Sequence, residues 1–229
     1  MLFDLRGRGR RRTVQVIYLS LAILMGGGLV LFGIGGATSG GLIDAIQGNS
    51  STTSGTDAFQ KRVDALEKRT QANPQDKAAW AQLAGLRFQQ AGSGANYDQA
   101  TGAYTAKGKA LLAQASAAWQ RHLALAGEKP DTTVANQMVQ AYGVTGLRNY
   151  AEAVKALEFV IDATPNPTFQ QYAQLAVLAH GAKQTRKATL SADKAVSLAP
   201  KDQRKTLQTQ IKTAQQQLDA AAGTSTTSQ

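Results

Sequence analysis

Residues 169–200 read FQQYAQLAVLAHGAKQTRKATLSADKAVSLAP, and their pattern describes two helices joined by a short turn. Apolar and small residues recur at spacings of three and four, which places them on one face of each helix. The residues concerned are Tyr172, Leu175, Ala176 and Ala179 in the first helix, and Ala188, Ala192, Ala195 and Leu198 in the second. Small residues sit where the helices must approach each other. The stretch therefore predicts a helical hairpin.

Prolines repeat this unit along the chain. Pro130, Pro165 and Pro200 are separated by 35 and 35 residues, and each lies between helical segments. Pro74 precedes Pro130 by 56 residues, which equals one repeat plus an insertion of about 21 residues. A fixed period of this length is typical of helical repeat proteins.

The repeated unit resembles the tetratricopeptide repeat (TPR), in which an aromatic residue, Leu and a small residue precede a second helix and a closing Pro. The residues that carry the resemblance are Tyr172, Leu175, Ala176, Ala188, Ala195 and Pro200, then Tyr150, Ala153, Leu157, Val160 and Pro165, and finally Trp80, Leu83 and Ala84. The unit before Pro165 departs from the pattern, because Met138 and Val139 replace the Leu–small pair and its loop is about two residues too long. The resemblance covers about 58–220.

We therefore expect an all-α fold: a TPR-like solenoid of about three helical hairpins over residues 58–222, with flanking helices. The first flanking helix is predicted after a cap at Thr56 or Asp57, and the last is followed by a frayed tail at 223–229. The insertion at about 91–112 leaves two interpretations open, one long helix over Tyr97–Ala126 or two short ones.

Composition favours helices and excludes several kinds of site. Ala and Gln together make 64 of the 229 residues, and Ala is the strongest helix former. The chain has no Cys, which excludes disulfides and thiolate metal sites, and its two His make a His-rich metal site unexpected. The net charge is +10.

The N-terminus predicts a membrane anchor. Residues 14–36 form an uncharged apolar stretch of 23 residues, about 34 Å as a helix, against roughly 30 Å of bilayer hydrocarbon. Basic residues precede the stretch within the segment 1–13, and no basic residue follows it until Lys61. These topology signals are Arg6, Arg8, Arg10, Arg11 and Arg12. The positive-inside rule then places the N-terminus in the cytoplasm and the helical domain outside a bacterial-type cell membrane, after a flexible linker at 37–57.

The alternative for this segment is a cleaved signal peptide, since residues 37–39 resemble a cleavage site. The apolar stretch is, however, longer than the usual 7–15 residues of a signal peptide. We expect a single-pass protein that contacts the lipid bilayer through residues 14–36.

No arrangement of residues predicts catalysis, a cofactor or a bound metal. His122 and His180 lack a Cys, a second His or an acidic residue at ligand spacing, so both are predicted to be partly exposed histidines at helix ends. Trp80 and Trp119 are predicted core residues. Three local basic clusters are expected to be mostly solvated, with contact to anionic lipid or an acidic partner as the alternative: Lys107 and Lys109, then Lys183, Arg186 and Lys187, and finally Lys201, Arg204 and Lys205. Nucleic-acid binding is not expected for a domain outside the cell.

The resemblance to TPR proteins implies a concave groove, lined by the first helix of each hairpin, that binds other proteins or peptides. The residues implied to line it are Phe88, Gln89, Asn136, Gln140, Gln170 and His180. Three functions remain open: a membrane-anchored scaffold for envelope proteins, an accessory subunit of a membrane machine such as a secretion channel or cofactor-insertion complex, and a passive helical spacer.

Overall fold

The structure is a computed structural model that describes residues 52–127 and 129–224. Within these ranges the chain forms eight α-helices, which confirms the predicted all-α class. The helices are α1 Thr52–Ala72, α2 Lys77–Ala91, α3 Ala106–Ala126, α4 Thr132–Ala141, α5 Tyr150–Ala163, α6 Phe169–Gly181, α7 Thr185–Leu198 and α8 Arg204–Thr224. None of them is both long enough and apolar enough to cross a bilayer. The predicted span at 14–36 and its preceding arginines lie outside the described residues.

Side-chain caps fix where most of the helices begin. A side-chain oxygen accepts a hydrogen bond from a backbone N–H of the first turn in α2 to α6, which satisfies a donor that the helix itself leaves unpaired. The capping residues are Asp76, Thr105, Asp131, Asn149 and Thr168. Thr168 forms a full capping box with Gln171. Hydrogen bonds from the Ala79 N–H and from Arg69 hold the pKa of Asp76 below its ordinary value of 3.8.

Three antiparallel helical hairpins follow one another: α2 with α3, α4 with α5, and α6 with α7. Successive hairpins pack on one another, since α2 and α3 contact α4, α5 contacts α6, and α6 and α7 contact the terminal helix α8. The helix α1 precedes the first hairpin in the chain and packs against it. Val63 of α1 is fully buried, and Gln90 of α2 donates a hydrogen bond to Gln60 of α1 at 3.0 Å. The prolines at the 35-residue period lie in the turns that precede α4, α6 and α8, as the sequence predicts.

The core consists of large side chains separated by alanines that allow close helix approach. The largest fully buried side chains are Trp119, Tyr142, Leu112, Met138, Leu157, Val63 and Val154. A smaller cluster closes the C-terminal end, where Ala176 and Ala195 pack against Leu207 and Ile211 of α8. The second hairpin is joined to the first by a hydrogen bond of 2.8 Å between the hydroxyls of Ser116 and Tyr142. Burial raises the pKa of Tyr142.

The interpretation of Tyr97–Ala126 as one long helix is correct only for Ala106–Ala126, and two short helices are not found there. The insertion between α2 and this helix has a different structure. It is a 3₁₀ turn at Gly94–Asn96 followed by two short antiparallel strands, β1 Tyr97–Asp98 and β2 Ala103–Tyr104. Tyr97 pairs with Tyr104, and their rings meet edge to face at 5.0 Å. Gly102 supplies the positive φ of 66° that this ribbon's turn requires.

Two predicted boundaries also differ in the structure. The first helix begins at Thr52, so it includes Thr56 and Asp57, which were predicted as its cap and as the end of the linker. The last helix continues to Thr224, into the predicted tail. The long loop between α4 and α5 is a compact turn, because the Leu147 N–H returns to the Ala141 carbonyl at 2.8 Å. A hydrogen-bonded turn of this kind absorbs the extra residues without moving the helices apart.

Candidate functional site

The helices α2 and α4, which are the first helices of two successive hairpins, pack closely on each other at Gly85. A Cβ atom at this position would lie 3.0 Å from Oε1 of Gln137 and 3.8 Å from a methyl group of Val134. The absence of a side chain at Gly85 therefore allows α2 and α4 to pack side by side. Oε1 of Gln137 is buried there and has no hydrogen-bond partner within the described part of the chain.

Three of the predicted groove residues lie on this pair of helices and are at least partly accessible. The helices α2 and α4 run in the same direction, since His122 bonds to the start of both and Gly85 meets Gln137 farther along them. One turn beyond the Gly85 contact, Gln89 of α2 is exposed and Gln140 of α4 is half-buried. Asn136 lies one turn before Gln140 on the same face of α4 and is also half-buried. We call Gln89, Asn136 and Gln140 the amide surface.

Phe88 does not line this surface, so its prediction was wrong. Its side chain is only 8% exposed and belongs to the main hydrophobic core. Ala81, on the same side of α2, is buried as well. Both residues belong to the main hydrophobic cluster, to which α3 and α4 also contribute, so this side of α2 is not open to a ligand.

The remaining two predicted residues lie on α6, one hairpin later. Gln170 is exposed in the first turn of α6. His180 lies in the last turn, and its Nε2 is 2.9 Å from a carboxylate oxygen of Asp219 on α8. The hydrogen bond with His180 holds the pKa of Asp219 below its ordinary value of 3.8, and Lys183 acts in the same direction. His180 is therefore engaged by the terminal helix and does not face an open groove.

His122 was predicted as a partly exposed histidine at a helix end, and the structure corrects this. The residue lies inside α3, is 4% exposed, and stacks on Trp119 with ring centroids 5.2 Å apart. Its Nε2 accepts the backbone N–H of Asp131 at 2.9 Å. Its Nδ1 therefore carries the proton and donates to the Lys77 carbonyl at 2.8 Å. His122 connects the start of α2 to the start of α4, which is a structural role.

A depression separate from the amide surface is lined by residues of α1, α2 and α3. Sequence reasoning did not predict it. Its volume is about 330 Å³, and it is lined by Glu67, Trp80, Leu83, Arg87, Gln114, Ala117, Ala118 and Arg121. Trp80 is half-buried there and packs against the main hydrophobic core, and its indole N–H donates to the Pro74 carbonyl at 2.9 Å. Arg87 is ion-paired with Glu67. The spacing of Trp80, Leu83 and Arg87 on one helical face was the signal that could have revealed this depression.

The chemistry of the amide surface is that of hydrogen bonding without charge. An amide side chain both donates and accepts, so it can pair with peptide groups of another chain. Within the described residues, no group of three or more His, Asp or Glu is placed to hold a metal ion. Searches against protein-family models, curated proteins and solved structures found no match to this chain.

Proposed function

We propose that this protein is a membrane-anchored, TPR-like scaffold whose amide surface binds segments of other proteins on the extracytoplasmic side of a bacterial-type membrane. The observation that carries the proposal is the row of three consecutive helical hairpins, in which α2 packs on α4 and α5 packs on α6. Stacked helical hairpins generate extended surfaces that repeat proteins use for binding. The prolines in the turns before α4, α6 and α8 support the TPR-like repeat.

The amide surface favours recognition of peptide backbone over recognition of charge. Gln89, Asn136 and Gln140 offer donors and acceptors on two adjacent helices. When a client binds, each amide replaces a hydrogen bond to water by one to a peptide group. The net gain in binding free energy is only about 0.5–1.5 kcal/mol for each hydrogen bond. We therefore expect modest affinity and a client that supplies an extended or helical segment.

The anchor part of the proposal rests on the sequence of residues 1–36. The uncharged stretch at 14–36 is long enough to span a bilayer, and the five arginines before it set the direction of insertion. Because the chain has no Cys, a single engineered cysteine can be labelled alone. We expect Ser50→Cys in intact cells to react with a membrane-impermeant maleimide. Full protection of this cysteine until the cells are lysed would contradict the proposed orientation.

Photo-crosslinking in native membranes tests the binding function. A photoreactive residue at Gln140 is compared with the same residue at Gln208, which is exposed on α8 and lies away from the amide surface. We expect a discrete adduct from position 140 alone, which mass spectrometry would identify. Equal adducts from both positions, or from neither, would contradict the proposal and favour a passive spacer.

A triple variant that introduces negative charge tests the same surface without a probe. Gln89→Glu, Asn136→Glu and Gln140→Glu together place three carboxylates where neutral amides stand. We expect the client identified by crosslinking to co-purify with the wild-type chain from solubilised membranes and not with the triple variant. The matched control is Gln208→Glu, which adds the same kind of charge to α8 and should leave the client bound.

A further inference from the structure

The basic surplus of the helical domain is concentrated at its C-terminal end. Between Lys183 and Lys212 the sequence has eight basic and two acidic residues. Between Asp57 and Ala182 it has twelve basic and ten acidic residues. The charge therefore marks α7, the turn after it and the first half of α8 as one strongly positive region.

The same region exposes large apolar side chains. Leu190 is 59% exposed and Leu198 is 45% exposed, and both lie on α7. Lys187, Leu190, Lys194 and Leu198 follow one another at i, i+3, i+7 and i+11, so they share one face of the helix. We call these four residues the α7 stripe. Two leucines between lysines give an amphipathic pattern that is typical of helices lying at a membrane interface.

Contacts within the chain leave most of this charge unpaired. Lys187 forms an ion pair with Glu158 of α5 at 2.5 Å, and the Lys194 ammonium lies 6.0 Å from the ring centre of Tyr172. Among the described residues, no ion pair is found for Arg186, Lys201 or Lys205. The acids of this region are Asp193 and Asp202 in the same segment, Glu158 on α5, and Asp219 on α8, which lies 3.5 Å from Lys183.

The turn after α7 adds to this surface. Arg204 donates hydrogen bonds to the carbonyls of Ala199 and Ser197, both at 3.0 Å. This contact holds the start of α8 against the end of α7, where Leu198 lies. Lys201 in this turn and Lys205 in the first turn of α8 are both exposed. The two exposed leucines are therefore accompanied by cations at both ends of α7.

We propose that the α7 stripe, with Arg186, Lys201 and Lys205, docks on an anionic phospholipid surface. The leucines would enter the interface and the cations would contact the lipid phosphates. Each Lys or Arg close to an anionic membrane strengthens the contact roughly fivefold. This inference rests on the anchor of the proposed function, which keeps the domain beside a bilayer. The 15 residues between the predicted span and α1, 37–51, can extend to about 50 Å at most.

The test uses the full-length chain and a fluorophore that responds to polarity. Leu190→Cys carries the only thiol of the chain, labelled with an environment-sensitive dye, and Gln82→Cys on α2 is the matched exposed control. Both are reconstituted into vesicles of phosphatidylcholine alone or mixed with phosphatidylglycerol. We expect a blue shift at position 190 in the anionic vesicles only, reversed at about 1 M salt, where the Debye length is about 3 Å.

A charge variant tests the electrostatic part. Arg186→Gln, Lys194→Gln, Lys201→Gln and Lys205→Gln change only exposed side chains, so the fold should be kept. With roughly fivefold lost for each cation, the blue shift should disappear. Equal blue shifts in neutral and anionic vesicles would overturn the proposal. A response to a polyglutamate peptide without one to anionic vesicles would also overturn it and indicate an acidic protein partner.

Failure of the anchor gives a separate result. If alkaline extraction releases the chain from membranes, the proposed anchor is wrong. The labelled full-length chain is then floated with preformed vesicles. Flotation with anionic vesicles, but not with neutral ones, still supports the docking surface, whereas flotation with neither contradicts it.

Discussion

Replacing His122 by Phe should be among the most destabilising single changes in the helical domain. The ring is 4% exposed, whereas Lys77 and Asp131, whose backbone groups are its two partners, are exposed residues. Phe keeps the stacking on Trp119 but leaves the Lys77 carbonyl and the Asp131 N–H without the imidazole. A buried polar group that loses its partner costs about 1–3 kcal/mol. Both groups lie at helix starts, where water can partly replace the ring, so we expect a loss of about 2–4 kcal/mol in total.

Thermal unfolding of the full-length chain in detergent, followed by circular dichroism, measures this loss. For a domain of this size, 1 kcal/mol corresponds to about 2–4 °C in Tm, so the expected decrease is roughly 4–16 °C. The matched control is His180→Phe, which breaks a solvent-exposed contact with Asp219 and should change Tm little. Equal Tm values for the two variants would refute the role assigned to His122. A urea titration that shows no difference in midpoint would do the same.

Three further substitutions test packing, backbone geometry and charge. Ala176→Leu places three extra carbons at a fully buried position and should cost about 1–3 kcal/mol by urea unfolding, whereas Ala78→Leu on an exposed position should not. Gly146→Ala brings a Cβ to 2.2 Å from a backbone carbonyl of α4, so it should lower Tm more than Gly92→Ala, where the nearest such atom is 3.7 Å away. The lowered pKa of Asp76 means that its charge stabilises the fold above its ordinary value of 3.8 and that this contribution is lost as the pH falls through the lowered pKa. The stability difference between wild type and Asp76→Asn should therefore be constant at neutral pH and shrink in acid; a constant difference down to the lowest pH would contradict this.

The helices and their order could be read from the sequence because helix formation depends on local pattern. The face of Leu175, Ala176 and Ala179 on α6 and the regular prolines required no knowledge of distant contacts. Caps such as Thr168 act over three residues, so they too are visible in the sequence. The ribbon after α2 was missed because its residues have weak propensities, and its geometry depends on contacts with α3. A Cβ at Gly108 of α3 would lie 2.1 Å from the Asn96 carbonyl, so the ribbon and the helix fit only around this glycine.

The candidate site was only partly predictable, because a spacing says which face a residue occupies but not what covers that face. Gln89 and Gln140 remain accessible, as the resemblance implies. Phe88 was predicted to line the same groove and is nevertheless buried, because its side chain belongs to the core that α2 shares with its neighbours. His180 is likewise partnered by a residue 39 positions later in the chain, which no local pattern indicates.

The sequence by itself determined the helical class, the hairpin period and the placement of the turns, since these follow from interactions within a few residues. The tertiary structure alone decided which polar groups are satisfied and which side chains face solvent. His122 shows the difference: its ring stacks on Trp119, three residues earlier, but its hydrogen bonds reach Lys77, 45 residues away, and Asp131 at the start of the next hairpin. Leu190 and Leu198 show it as well, because their exposure depends on where α7 meets its neighbours. Burial is a property of surfaces brought together by the whole chain, and a one-dimensional pattern does not contain it.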